Sequence, residues 1–259
     1  MPFTFAHPGF ALPVKKWKPS IFSATGLFFG SIAPDLDILL RLTNERFHIF
    51  QYDLFCVVFY IFPLAFFFGL YFHLFMRNVL IDHLPFSWRE KCSAYRSFNY
   101  VQYLKRNFHK VTFSVFFAIY LHLLLDLVSH WPPDAFQAYG GFTYQSLAIS
   151  MIYFYTAIYL PPVLFSCAGF YLTARFLGLT CADLRLLFSG LKQDRASWPF
   201  YVVFAFITVL MALLKFMLGG FEKAFFIDHI VINFTNGFII SLVVTPTLFY
   251  IRSKIKKVS

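Results

Sequence analysis

The sequence places two histidines and an aspartate at four-residue intervals inside an otherwise apolar run, as His122, Asp126 and His130. Residues four apart lie on one face of an α-helix, so these side chains stack over about two turns. Two imidazoles that flank a carboxylate have the residue types of a divalent-metal site or of an acid–base pair. Charged groups at membrane depth are costly and mark a function or a bound partner, so the stack is the first candidate site.

Further carboxylates and a histidine follow an earlier apolar run. Asp35 and Asp37 come directly after Pro34, and His48 and Asp53 lie in the connection to the next apolar run. Residues two apart point to different sides of a helix, so only one of the two neighbouring aspartates is expected to face the stack. Asp35, next to the break in the apolar run, is the favoured one.

The composition is that of a membrane protein. The chain has 259 residues, of which 59% are hydrophobic and 13% charged, whereas soluble proteins carry about 25% charged residues. The net charge of +10 comes from Lys and Arg in segments between apolar runs, which favours membrane lipids over nucleic acid as the partner. Four scattered cysteines form no C-x-x-C pair, so neither a zinc knuckle nor a disulfide framework is indicated.

The apolar runs predict an all-α fold, a polytopic transmembrane helical bundle with five or six membrane segments. The segments are predicted at about residues 20–41, 54–76, 111–131, 148–175, 199–218 and 230–251. The first has only about fifteen apolar residues before Pro34, or about 22 Å of helix, against a hydrocarbon thickness of about 30 Å. It therefore either spans marginally or re-enters. We expect residues 1–150 to carry the His/Asp constellation and residues 151–259 to add transmembrane helices to the same domain.

Connections rich in basic residues alternate with connections that have few or none. Residues 77–110, residues 176–198 and the C-terminal tail are rich in Lys and Arg, whereas residues 132–147 have none. Basic segments stay in the cytoplasm, which predicts a multi-pass protein of the cell inner (cytoplasmic) membrane with a cytoplasmic C-terminus. The ends of the first and third segments, with their histidines and carboxylates, then lie on the outer side.

Five motifs together resemble an uncharacterised bacterial family of integral-membrane proteins, which is defined only as a domain of unknown function. They are Met-Pro-Phe-Thr-x-x-His-Pro at residues 1–8, Gly30-Ser31-x-Ala33-Pro34-Asp35, Phe72-His73-x-x-x-Arg77, Leu84-Pro85 and His122-x-x-x-Asp126-x-x-x-His130. The resemblance spans about residues 1–150. It implies an integral-membrane fold without naming an activity.

More remotely, the order of histidines and aspartates is similar to the membrane-bound metal-dependent hydrolase family and to the zinc-dependent phospholipase C and nuclease P1 group. In that group a metal cluster hydrolyses phosphoesters, which implies a divalent metal, zinc, as the cofactor here. The ligand candidates that this similarity implies are His7, Asp35, His48, His122, Asp126 and His130. No second His-x-x-x-Glu pair follows His130, so the sequence supports a site of one or two metals.

Two functions remain open. The first is an integral-membrane metal-dependent hydrolase acting on a phosphoester or lipid-like substrate, with Asp37 or Asp53 as a general base that does not bind the metal. The alternative is a non-enzymatic scaffold or transporter accessory protein, in which the stack is a polar clasp between helices.

The position of His7 separates two topologies. If the first segment spans, Lys15 to Lys18 are cytoplasmic and His7 lies on the opposite side from the other ligands. If the segment re-enters, His7 shares their side. The short apolar run and Pro34 favour re-entry, whereas the lysines oppose it.

Overall fold

The computed structural model describes residues 4–36, 54–84, 86–129, 163–178, 197–218 and 226–258. All regular secondary structure in these ranges is helical, and they contain no strand. The predicted all-α fold is confirmed.

The first described stretch folds into short helices. They are α1 (His7–Ala11), α2 (Pro13–Trp17), α3 (Ala24–Ile32) and a 3₁₀ turn (Ala33–Leu36) that extends α3. Pro8 and Pro13 lie in the first turns of α1 and α2, where the missing N–H has no helical partner to lose. Ser23 caps α3 by accepting a hydrogen bond from the backbone N–H of Gly26.

The remaining described residues form longer helices and two short ones. They are α4 (Leu54–His83), α5 (Phe86–Cys92), α6 (Tyr100–Ser129), α7 (Val163–Phe176), α8 (Trp198–Leu218) and α9 (Phe226–Val258). Helices α4, α6, α8 and α9 contain apolar spans of 30, 28, 20 and 24 residues, and about 20 residues suffice to cross a membrane. The predicted membrane character is therefore confirmed for four of the predicted segments.

Two membrane helices extend beyond the apolar runs that predict them. Helix α6 begins at Tyr100, well before the predicted start at Val111, with a kink at Asn107 (φ −127°, ψ 30°), and α4 continues to His83. Lys and Arg are good helix formers, so a helix does not stop where its sequence becomes basic. Helix α4 ends at Leu84, whose ψ of 149° is extended, as expected for a residue that precedes a proline.

Packing divides the chain into two compact units. Of the described residues, the first unit contains 4–34, 54–66, 107–129 and 163–178, and the second contains 35–36, 67–84, 86–106, 197–218 and 226–258. Each unit is thus assembled from separate parts of the chain. The division at residue 150 stays a prediction.

In the first unit, α3 runs parallel to α6 at a constant offset. The Ser23 N–H donates to Oγ of Ser114 at 2.7 Å, and the Ser31 carbonyl oxygen lies 2.6 Å from Nδ1 of His122. Both pairs are 91 positions apart. The C-terminal end of α3 therefore points toward the C-terminal end of α6.

Two glycines allow α3 to lie directly on the backbone of α6. A Cβ at Gly26 would be 2.7 Å from the carbonyl oxygen of Val111, and a Cβ at Gly30 would be 2.6 Å from that of Val115. Small residues spaced four apart are a common means of close helix packing in membranes. Any larger residue at these positions pushes the two helices apart.

The residues before α3 bring the N-terminus back to the C-terminal end of α6. Lys15 lies near Lys110, and burial together with the charge of Lys110 lowers the pKa of Lys15. At the other end of this stretch, His7 lies against His122. The stretch is therefore a helical hairpin with its turn at the basic end of α6, and it brings His7 to the same end of α6 as His122.

Candidate metal centre

Three of the predicted ligands come together in the first unit. His7 is the first residue of α1, and His122 and Asp126 lie one turn apart near the C-terminal end of α6. Their exposed fractions are 2%, 1% and 5%. Polar groups buried to this degree are costly without close electrostatic partners, and these three are partners of one another.

The distances between the three side chains suit a single metal ion. Nε2 of His122 is 3.3 Å from Oδ2 of Asp126, and Nε2 of His7 is 3.7 Å from Oδ1 of the same carboxylate. One ligand atom from each residue lies within 4.8 Å of the other two. Metal–ligand bonds of about 2.0–2.2 Å place neighbouring ligand atoms of a tetrahedral zinc site about 3.4 Å apart. The residues present therefore fit zinc, with three protein ligands, as in catalytic zinc sites.

The Ser31 carbonyl determines which nitrogen of His122 carries a proton. A carbonyl oxygen only accepts hydrogen bonds, so Nδ1 donates to it across 2.6 Å. In the neutral ring, Nε2 is then an acceptor, and it faces the Asp126 carboxylate, which is also an acceptor. Two acceptors at this distance repel each other unless a positive charge lies between them. The pair therefore requires either a second proton or a metal ion.

The rings of His7 and His122 are stacked. Their centroids are 3.9 Å apart and their planes are inclined by 27°. Two positively charged imidazolium rings repel at this distance, whereas metal ligands are neutral imidazoles. Stacking thus favours the uncharged ligand form for at least one of the two rings.

Backbone contact with α7 fixes the position of α1. A Cβ at Gly9 would overlap the carbonyl oxygen of Gly169, and a Cβ at Gly169 would overlap that of Ala6. Such close approach is possible only for glycine. His7 is therefore carried to the site by a short helix that the packing of the first unit holds in place.

A family model described as a domain of unknown function, DUF4184, matches residues 1–247. The chain belongs to the DUF4184 family. The match extends beyond the predicted resemblance over residues 1–150 and includes α8 and most of α9. No curated protein and no solved structure matches the chain.

The other predicted site residues of this DUF4184 chain do not join the group of three. Asp35 is buried and follows Ser31 by about one turn, but packing assigns it to the second unit. The group with mutually close ligand atoms does not include it. The predicted residues that lie outside the described residues are Asp37, His48, Asp53 and His130.

The sequence does not predict the contribution of the Ser31 carbonyl. Every residue has a backbone carbonyl, so the residue type does not indicate which carbonyl takes part in a site. Its position could have been found only indirectly, because the four-residue spacing of Gly26 and Gly30 signals close contact between helices. The family motif that contains Ser31 thus acts here through its backbone.

Other histidines whose side chains the structure describes have different surroundings. Nδ1 of His73 lies 3.3 Å from Nη1 of Arg77, and its ring stacks on Tyr100. His83 donates to a carbonyl of its own helix, and His109 is exposed. Within the described ranges, no second group of three His, Cys, Asp or Glu side chains is close enough to share a metal.

Proposed function

We propose that the chain is an integral-membrane, metal-dependent hydrolase, and that His7, His122 and Asp126 hold its divalent metal, zinc. The orientation of His122 supports this most directly: Nδ1 donates to the Ser31 carbonyl, and Nε2 points at Asp126. Histidines that bind metals almost always donate their second ring N–H to a carbonyl, a carboxylate or water. A metal cation also removes the repulsion between the two acceptors.

Each residue of the group has a distinct role in this proposal. The zinc ion, when bound, supplies a Lewis acid and a water of lowered pKa. His7 and His122 are neutral ligands, and the Asp126 carboxylate offsets part of the ion's charge. Asp37 or Asp53 is the general base, because each is a predicted carboxylate outside the ligand set. The additional candidate ligands are Asp35, His48 and His130.

The depth of the site favours a lipid-like phosphoester as the substrate. Along α6, His122 lies about 18 Å beyond Lys110 and Asp126 about 24 Å beyond it, and the hydrocarbon core is about 30 Å thick. With Lys110 at one interface, the group lies toward the opposite headgroup region. If the basic end is cytoplasmic, the C-terminal tail is also cytoplasmic and the site lies toward the outer face of the cytoplasmic membrane.

Metal content tests the proposal directly. We expect the full chain, purified in neutral detergent from zinc-supplemented cells, to carry about one zinc per chain by elemental analysis. His122→Ala and Asp126→Ala should each lower this content to less than about a tenth, because each removes a ligand. Hydrolysis of a synthetic phosphodiester in mixed micelles should fall in parallel.

His109→Ala is the matched control. His109 lies on the same helix but is exposed, so its loss should change neither zinc content nor hydrolysis. A folded wild-type protein that contains no transition metal after this preparation contradicts the proposal. So does a loss of zinc that His109→Ala reproduces.

A non-enzymatic polar clasp is the competing function. The same distances of 3.3 and 3.7 Å also suit an ion pair between a protonated histidine ring and the Asp126 carboxylate. In that case the wild type is free of metal, and Asp126→Asn lowers the thermal unfolding temperature in detergent without affecting any metal content. Zinc bound by the wild type and lost in Asp126→Asn excludes the clasp as the complete account.

A further inference from the structure

The second unit contains a cavity of about 250 Å³ where the ends of α4 and α9 meet. The residues that α4 contributes are Val79, Asp82 and His83. The residues that α9 contributes are Phe249, Arg252, Ser253 and Lys256. Each set has the three- and four-residue spacing of one helix face, so the cavity is formed by regular secondary structure.

The cavity has an excess of positive charge. Asp82 is paired with Arg96, which is not among the lining residues. Arg252 and Lys256 lie four residues apart on one face of α9, and no acidic side chain in the described ranges pairs with them. Two cations thus face a space in which the only carboxylate among the described lining residues, Asp82, already has a cationic partner.

One wall of the cavity is apolar and well packed. The Phe249 ring contacts the rings of His83 and Phe200 edge-on, at centroid distances of 5.2 and 5.3 Å. His83 in turn stacks on Phe200 and donates from Nδ1 to the Val79 carbonyl at 2.8 Å, and Tyr201 donates to the His83 carbonyl. These contacts hold the wall in place before any ligand enters.

The cavity lies where a membrane surface is expected. The apolar span of α4 ends at His83 and that of α9 ends at Lys256. The apolar residues Val79 and Phe249 precede these ends, while Arg252 and Lys256 are exposed. The cations are therefore at headgroup level and the apolar wall is at the depth of the upper acyl chains.

We propose that this cavity binds the headgroup of an acidic phospholipid, with its phosphate at Arg252 and Lys256 and its acyl chains along Val79 and Phe249. Free inorganic phosphate offers the same anionic oxygens but has no apolar part to contact Val79 and Phe249, so the lipid is the better match. Basic pockets between transmembrane helices are known to select acidic headgroups. The lining of this cavity shares no residue with the His/Asp group, so the lipid proposal does not depend on the hydrolase proposal.

Lipid titration tests the site. The full chain in neutral detergent is titrated with phosphatidylglycerol, phosphatidylcholine or inorganic phosphate, and bound lipid and thermal unfolding are measured. We expect preferential binding of phosphatidylglycerol. The double variant Arg252→Gln/Lys256→Gln should bind it about 30-fold more weakly, since each cation near the surface contributes about 1 kcal/mol and about 1.4 kcal/mol is tenfold.

Lys105→Gln/Arg106→Gln is the charge-matched control, because both residues are exposed on α6 and do not line the cavity. It should retain binding, as should Arg252→Lys/Lys256→Arg, which keeps both charges. Three results each overturn the proposal: equal weakening in the control, equal binding of phosphatidylcholine, or equal stabilisation by inorganic phosphate at the same concentration. Arg252 and Lys256 are exposed, so the glutamine variants should fold; if the double variant does not, Arg252→Gln alone gives the same comparison.

Discussion

The two ring nitrogens of His122 have different tasks. Nδ1 bonds the Ser31 carbonyl of a neighbouring helix, whereas Nε2 faces the Asp126 carboxylate. The first contact holds the ring in one orientation and tautomer, and the second presents a lone pair. A substitution that separates these tasks is more informative than deletion of the whole side chain.

His122→Asn makes that separation. The asparagine amide can donate to the Ser31 carbonyl much as Nδ1 does, but it is too short to replace Nε2. We expect metal to be lost while most of the stability is kept. His122→Ala should cost about 1 kcal/mol more in unfolding free energy, the typical value of one hydrogen bond. Elemental analysis and thermal unfolding in detergent check both expectations, and zinc retained in His122→Asn contradicts the assignment of Nε2 as a ligand.

At the level of elements, the contact between α3 and α6 positions the Ser31 carbonyl. A Cβ at Gly30 would lie 2.6 Å from the Val115 carbonyl oxygen and 2.9 Å from its Cα. Both are backbone atoms that cannot turn away, so α3 must move as a whole. We expect Gly30→Ala to lower the unfolding free energy by about 1–3 kcal/mol and to weaken zinc binding about 10-fold or more.

Gly237→Ala provides the comparison for this change. Gly237 lies on α9, where a Cβ would overlap the Thr208 carbonyl oxygen of α8 in the second unit. It should destabilise the protein without changing zinc affinity. If both glycine variants lose zinc alike, zinc loss follows general destabilisation and the Ser31 carbonyl does not position the site.

The membrane helices could be predicted from sequence, but their ends could not. Long apolar runs indicate α4, α6, α8 and α9, because about 20 apolar residues have few alternatives to a transmembrane helix. Charged residues do not stop a helix, so α6 starts within the basic stretch at Tyr100. The pairing of α3 with α6 depends on backbone contact at glycines, and hydropathy carries no information about it.

For the whole molecule, the decisive question is where the chain turns before α3. The hairpin places Lys18 at the same end of α6 as His109, since Lys15 lies near Lys110. In a variant without its native cysteines, we expect Lys18→Cys and His109→Cys to react with an impermeant thiol reagent from the same side of sealed vesicles. Labelling from opposite sides would contradict a hairpin whose turn lies at the basic end of α6.

The members of the site were predictable by type, whereas their association was not. His7 and Asp126 are more than a hundred residues apart, and the sequence brings His7 to the side of the stack only if the first segment re-enters. The sequence favoured Asp35 over Asp37 as a further member, and Asp35 is buried but not part of the close group. The residue types that can bind a metal are visible in the sequence. Whether such residues come close together depends on how the N-terminal hairpin packs on α6.

The fixed offset between α3 and α6 depends on one polar contact at each end of α3. Ser23 donates to Ser114, and His122 donates to the Ser31 carbonyl. A shift of α3 by one turn, about 5.4 Å, would break both contacts at once and would bring Gly26 or Gly30 against the larger side chain of Lys110 or His122. Buried polar groups are known to select one register over another at some cost in stability. His122 therefore has a second role, because together with Ser114 it sets the register in which α3 packs on α6.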